Sequence, residues 1–295
     1  MKPVAWMIDK VKESGAAQCG ALSFDVLRPL MSERAQKRAA LLCPGLAGVL
    51  VGAFPYFSGH TAGNVSLYAR GLDYHLGVTN RLQAACRQMK EQMPGHAFVP
   101  AVDASPLPER AAALLSGIGK LGRNGLVLCD PYGSYVFLGA ILTSYPIRET
   151  GRPVVHCKGC GACVRACPSG ALSLKEGQVH FDKARCLSHI TQIKKTPTEE
   201  EISRLEAHPY VWGCDLCQLA CPENRKAEPS PLADLTGAEQ AAPYLSCLTP
   251  DMLEGLDETA FQKKFGNRAF AWRGLQILKR NFDIQLHKRP KKDGY

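Results

Sequence analysis

The chain has 295 residues, 45% of them hydrophobic, enough to bury a substantial core and to form two domains. No apolar run reaches the ~18–20 residues that a bilayer span needs, and the amphipathic N-terminus is unlike a secretory signal, so a soluble, cytoplasmic protein is expected. The formal charge of +9 is uneven: residues 263–295 carry ten Lys/Arg against two Asp, which reads either as a solvated basic tail or as the footprint of a polyanion binder.

The first 150 residues alternate helix and strand signals. An amphipathic helix over 3–15 precedes a strand near 19–24, and the apolar run 48–54 predicts a second, buried strand that stops at Pro55. Helical spacing over 78–93 ends at Pro94-Gly95. Residues 97–102 predict a strand ending at Asp103, and Pro106 opens a helix through Leu115, proline being tolerated early in a helix. A glycine-rich loop covers 117–125, and 126–129 with 135–142 predict a hairpin around Asp130-Pro131-Tyr132-Gly133. The pattern is α+β, with an α/β-like layered N-terminal domain. The expected divisions are 1–150, a cysteine module over 151–228, and a helical, basic segment over 229–295 that ends in the polar stretch 287–292.

Thirteen cysteines dominate the chemistry. Cys19, Cys43, Cys86, Cys129 and Cys247 are scattered, and Cys129 reads as a buried, inert thiol. The other eight fall between Cys157 and Cys221, in a chain too long and too unlike a secreted one for a disulfide scaffold. Cys157-x2-Cys160-x2-Cys163-x3-Cys167-Pro168 is the spacing in which three cysteines wrap one [4Fe–4S] cubane and the fourth crosses to its neighbour. Cys214-x2-Cys217-x3-Cys221-Pro222 repeats it without a first cysteine, which Cys186 supplies through a loop. The quartets are therefore Cys157, Cys160, Cys163, Cys221 and Cys167, Cys186, Cys214, Cys217. Two zinc sites are the competing reading, but zinc requires neither this progression nor proline after both crossing cysteines. Gly117-x-Gly119-x-x-Gly122 matches a dinucleotide string, yet it precedes a strand instead of opening a helix. A two-cluster module occupies only part of this length, so it is expected to wire electrons to a site elsewhere in the chain.

Several segments together resemble the epoxyqueuosine reductases, cobalamin-dependent iron–sulfur enzymes of tRNA modification. They are Tyr68-Ala-Arg-Gly-Leu-Asp-Tyr-His75, Val102-Asp-Ala-Ser-Pro106 with Glu109-Arg110, Ile118-Gly-Lys120 and Gly133-Ser-Tyr-Val-Phe-Leu-Gly139. Both cysteine motifs follow in order, with Cys186-Leu-Ser-His-Ile-Thr191 between them, and then Phe265-Gly-Asn-Arg-Ala269 and Arg273-Gly. The resemblance implies a catalytic domain related to reductive dehalogenases. Base-off cobalamin would lie between it and the ferredoxin-like module, electrons would pass through the clusters to cobalt, and the epoxide oxygen would leave as water.

What the resemblance implies for single residues can be weighed against plainer roles. Asp103 matches the proton donor and would need a raised pKa to serve at neutral pH; capping of the following helix competes. Arg70, Asp73, Tyr74, Ser105, Lys120 and Ser188 are expected at the corrinoid or substrate, against a structural Arg70–Asp73 salt bridge, a surface lysine and a turn serine. Asp73-Tyr-His75-Leu-Gly77 departs from the D-x-H-x-x-G cobalamin pattern by one residue, so His75 is expected to pack or hydrogen-bond, not to ligate cobalt. Arg268, Arg273, Lys279 and Arg280 form a positive end for tRNA phosphates near the anticodon. A monomer fed by a low-potential flavodoxin or ferredoxin is expected. Because family members often extend further in helical repeats, a related reductase of a small epoxide or organohalide stays open, as does an electron-transfer module without a catalytic site of its own.

Overall fold

Four antiparallel strands make the central sheet, in the order Gln18–Ser23, Gly48–Pro55, Val136–Thr143 and Phe98–Ala101. The computed structural model describes residues 3–103, 105–176, 178–238 and 242–286, so the polar stretch 287–292 lies outside the described residues. The two inner strands are apolar almost throughout because both faces of the sheet are covered. Helices Pro3–Glu13 and Tyr74–Gln92 pack on one face through Met7, Val11, Val78, Leu82 and Met89. Helix Glu109–Leu115, with Leu27 and Ala39, packs on the other.

One glycine sets how close the long helix comes. A Cβ on Gly139 would stand 2.6 Å from Val78 Cγ1 and 2.9 Å from Leu82 Cδ1. Its bare backbone lets the helix rest on the sheet, with the helix N-terminus, Tyr74 and His75, beside Phe137.

Two expected elements differ. The 135–142 segment does not fold back on 126–129. It takes a central place between Gly48–Pro55 and Phe98–Ala101, where an apolar run is buried on both faces, while Val127–Leu128 pairs with Lys120–Leu121 and only a Cys129–Gly133 bridge closes the turn. The helix expected from Pro106 starts at Glu109, since Pro108 restricts Leu107 to extended backbone and itself becomes the N-cap.

The C-terminal helices Glu258–Phe265 and Leu275–Leu286 build a separate core around Phe261, Phe270 and Leu278, closed by Val65 and Trp212 from distant segments. Two arginines brace this region. Arg70, 2% exposed, donates to the carbonyls of Val65 (2.7 Å) and Thr61 (2.6 Å) and to Tyr244 Oη (2.8 Å). Arg268, 6% exposed, donates to the carbonyls of Arg70 (2.8 Å), Gly71 (3.1 Å) and Pro243 (2.6 Å).

This corrects the expectation that Arg268 serves a phosphate surface, because it is buried and its two terminal nitrogens make three hydrogen bonds to backbone oxygens. Charged donors to buried carbonyls contribute about 1.5–3 kcal/mol each, so Arg268→Ala should destabilise the protein by at least about 2 kcal/mol. Urea unfolding without any nucleic acid measures this; a midpoint unchanged from wild type would contradict it.

Candidate redox centre and adjoining cavity

The cysteine region folds into short helices, Ala162–Arg165 and Leu216–Leu219, that pack on each other, with the hairpin Leu172–Lys175/Gln178–Phe181 alongside. Cys157, Cys160, Cys163 and Cys221 line an outer cavity of about 490 Å³ rimmed by Lys120, Arg123, Lys158 and Lys226. Cys167, Cys186, Cys214 and Cys217 line an inner cavity of about 430 Å³. Each motif thus sends its proline-flanked cysteine into the other motif's cavity. Among the described residues no three His, Cys, Asp or Glu side chains converge tightly enough to hold a single metal ion; the thiols ring open volumes instead. Burial pushes the Cys214 and Cys217 thiols up to about 12 and raises Cys163 and Cys221 as well. As free thiols these would be protonated, a state that bound metal reverses.

The inner cavity is shared between the module and the sheet. Tyr56, Tyr68, Tyr74, Val136, Phe137 and Leu138 face it from the sheet side, and Leu172, Leu187 and Ser188 from the module. The module is held there by buried polar contacts. Gln218 Nε2 donates to Tyr56 Oη (3.2 Å) and Ser134 Oγ (3.0 Å), and Asn224 Nδ2 donates to Ser134 Oγ (2.8 Å). Asp215, fully buried, accepts from Ser66 Oγ and from the Leu67 amide (2.8 Å).

At the rim, four side chains share hydrogen bonds. Asp103 Oδ2 accepts from Tyr74 Oη at 2.7 Å and lies 3.0 Å from His75 Nε2. His75 Nδ1 is 2.8 Å from Asp73 Oδ1, which also caps the helix by accepting from the His75 amide. Two carboxylates on one imidazole raise His75 to about 9, the Asp103 bond being the larger cause. The same His75 bond, with Tyr74, lowers the Asp103 pKa against an opposing effect of burial. Here the expectation of a raised Asp103 pKa is corrected: the proton rests on His75, and Asp103 is the carboxylate. Both ring nitrogens of His75 are occupied in this way. Asp103 also adopts φ +52°, a left-handed conformation that favours glycine and stores strain in other residues.

Glu109 faces the same cavity and accepts from Ser105 Oγ (3.1 Å). Burial, reinforced by the charge of Asp103, pushes it up to about 7.

The expected site residues divide accordingly. Tyr74, Asp103 and Ser188 line the inner cavity, Asp73 orients His75 from behind, and Ser105 reaches it only through Glu109. Arg70 is turned into the core, and no Arg70–Asp73 ion pair forms among the described residues. Lys120, expected at the corrinoid, lines the outer cavity and not the inner one, 3.4 Å from Glu223 and 3.6 Å from Asp130. Of the basic end, Arg280 donates to Ile193 O (2.6 Å) and Lys279 to Leu256 O (3.4 Å); their carbonyl partners hold them against the fold. Only Arg273 differs, its guanidinium 3.5 Å from the centroid of the half-exposed Trp272 ring. The roles of Glu109, Tyr56, Gln218 and Asn224 escaped the sequence reading. Polar residues inside or just after a cysteine motif, as in Gly213-Cys-Asp-Leu-Cys-Gln218, are the one local signal that a partner surface waits opposite.

Residues 37–104 match the family described as epoxyqueuosine reductase QueG, DUF1730, and residues 156–224 match the 4Fe-4S double cluster binding domain. The epoxyqueuosine reductase of Gloeobacter violaceus is 34% identical over 229 residues, 75% of this chain and 70% of that protein. The solved epoxyqueuosine reductase of Streptococcus thermophilus superposes with a TM-score of 0.77 at 27% identity, over 97% of this chain and 81% of that one. An epoxyqueuosine reductase solved with an epoxyqueuosine-modified tRNA-Tyr stem loop gives 0.76 at 26% identity, over 96% of this chain and 80% of that one. The chain spans 55–65% of the length of its curated relatives from Listeria monocytogenes, Bacillus cereus and Lactococcus garvieae. With the double-cluster module seated against a sheet domain of matching fold, the chain belongs to the epoxyqueuosine reductase family.

Proposed function

We propose that this chain reduces epoxyqueuosine in the anticodon region of tRNA to queuosine. Two [4Fe–4S] clusters, held by the outer quartet Cys157, Cys160, Cys163, Cys221 and the inner quartet Cys167, Cys186, Cys214, Cys217, carry the electrons. The observation that carries the reading is one cavity lined both by four cysteines and by Asp103, which His75 backs at 3.0 Å. Cys160 is exposed at the outer cavity, which makes that quartet the entry point for a low-potential flavodoxin or ferredoxin. The tRNA-bound relative supports the substrate class. On this chain the Trp272–Arg273 stack offers a nucleobase both a π-face and a charge.

The inner cavity suits a flat, largely apolar cofactor. Phe137, Leu138 and Val136 oppose Leu172 and Leu187, and Ser188 and Tyr68 supply polar edges. These residues would hold base-off cobalamin, while His75, engaged at both nitrogens by Asp73 and Asp103, would serve the carboxylate and not a metal. Bound and reduced, the corrinoid supplies the two electrons for breaking the epoxide C–O bond.

Deoxygenation of an epoxide to an alkene takes two electrons and two protons and releases water. The Asp103–His75 pair holds one transferable proton against the cavity, and Tyr74 Oη fixes the carboxylate that would hand it to the nascent alkoxide. A second proton then lets the oxygen depart as water. Glu109, bonded to Ser105, steadies the strained Asp103 turn, and an epoxyqueuosine reductase from Bacillus subtilis, solved with an aspartate catalytic loop swung out of its active site, supports a catalytic role for such a loop.

Anaerobic reconstitution should load about eight irons per chain, and Cys186→Ala should hold about four or fewer. Cobalamin and a low-potential reductant should then convert an epoxyqueuosine-bearing stem loop to queuosine. Unconverted RNA with all cofactors in place would refute the substrate assignment. Asp103→Asn should slow conversion by about 10²–10⁴-fold at unchanged iron content. By NMR the His75 imidazole should titrate near 9, and Asp103→Asn should bring it back toward 6.5. Because the folded pKa is the higher, the stabilisation from this pair is complete below about 6.5 and is lost as pH rises through about 9. A melting temperature whose pH profile is the same in wild type and Asp103→Asn would contradict this.

A further inference from the structure

The small hairpin Lys120–Leu121/Val127–Leu128 is tied firmly to the start of the cysteine module. The Leu121 amide donates to Val155 O (2.8 Å), and the Cys157 amide donates to Leu121 O (3.0 Å). Its tip closes through Gly125 N to Gly122 O (2.9 Å) and Gly122 N to Leu126 O (2.8 Å). Asn124 sits on that tip, and it lines both the outer and the inner cavity. It is a wedge from the sheet domain between the two cysteine quartets.

The side chain has a defined orientation. Its Oδ1 accepts from the Leu126 amide at 3.3 Å, which fixes oxygen and nitrogen in their places. The other end, Nδ2, is buried and has no hydrogen-bond partner in the protein. Buried amide donors are almost always satisfied, and an orphan aimed between two ligand sites points to an acceptor that belongs to one of them. Asn124 and Cys217 line the inner cavity together. A cluster sulfur is such an acceptor, since hydrogen bonds to thiolate and sulfide are among the factors that set the potential of an iron–sulfur centre.

We infer that Asn124 donates a hydrogen bond through Nδ2 to the inner cluster at Cys217, and so sets the potential step between the two clusters. The inference rests on the two-cluster reading above. It makes Asn124 a tuning residue and not a ligand. A donor to sulfur stabilises the more negative, reduced cluster, so its removal lowers the potential of the cluster it serves.

The test is an EPR-monitored redox titration of the full chain, reconstituted anaerobically without cobalamin or RNA, for wild type, Asn124→Leu and Asn124→Asp. Asn124→Asp keeps the oxygen that accepts from Leu126, so it removes the donor while preserving the turn. In both variants one of the two potentials should move negative and the other stay put, with about eight irons retained. Unmoved potentials would overturn the inference, as would equal shifts of both. Loss of iron in Asn124→Asp would overturn it too, by showing that the tip merely braces the module. A wild-type protein that never binds two clusters would instead sink the reading beneath it.

Discussion

Everything this chain can do at its inner cavity depends on a seam of buried polar groups that presses the second cysteine motif against the sheet. Gln218, Asn224 and Ser134 satisfy one another there, and Asp215 is satisfied by Ser66 and the Leu67 amide. Such groups stabilise a contact only when complete, because a buried carboxylate or amide left without its partner costs several times what the bond contributes. The seam therefore specifies one docking position. A greasy interface of equal area would tolerate sliding, and a shift of an ångström would separate Cys214 and Cys217 from the tyrosines across the cavity.

A second constraint reaches the same place from the opposite side. The long helix lies on the sheet at Gly139 and begins with Asp73, Tyr74 and His75, so sheet contact and the geometry of the Asp103 hydrogen bonds are set by one rigid element. Asp73 serves the helix and the site at once: it caps the backbone and polarises the imidazole. A capping residue is normally replaceable by serine or asparagine at small cost. Here the charge itself is used, so those substitutions would preserve the helix and still alter the proton affinity of His75.

What sequence can reveal follows from how local the information is. Cysteine spacing is local, and it carries through to which cavity each thiol lines, including Cys186, which arrives from 28 residues upstream of its motif. The strands at 48–54 and 97–102 were legible for the same reason, as runs of apolar side chains bounded by proline or aspartate. Contacts across the fold were not. Arg268 looks like a surface cation until Arg70 and Gly71, almost two hundred residues away, present their carbonyls to it. Asp103 looked like a group to be desolvated and protonated, but His75 and Tyr74, from another helix, keep it ionised. The 135–142 segment carried a turn signal that suggested a local hairpin, and the stronger demand of an apolar strand for burial on both faces sent it to the middle of the sheet.

The exchange of Cys167 and Cys221 between cavities means that the two halves of the module are interlaced, like links closed through one another. On the proposed two-cluster reading, assembly of either centre would fix a residue the other needs, which makes loading cooperative. The same interlacing makes oxidative damage indivisible. On that same reading, an oxidant that opens the exposed outer centre would free Cys221, loosen the adjoining helix Leu216–Leu219 with Cys217, and unmake the inner centre as well.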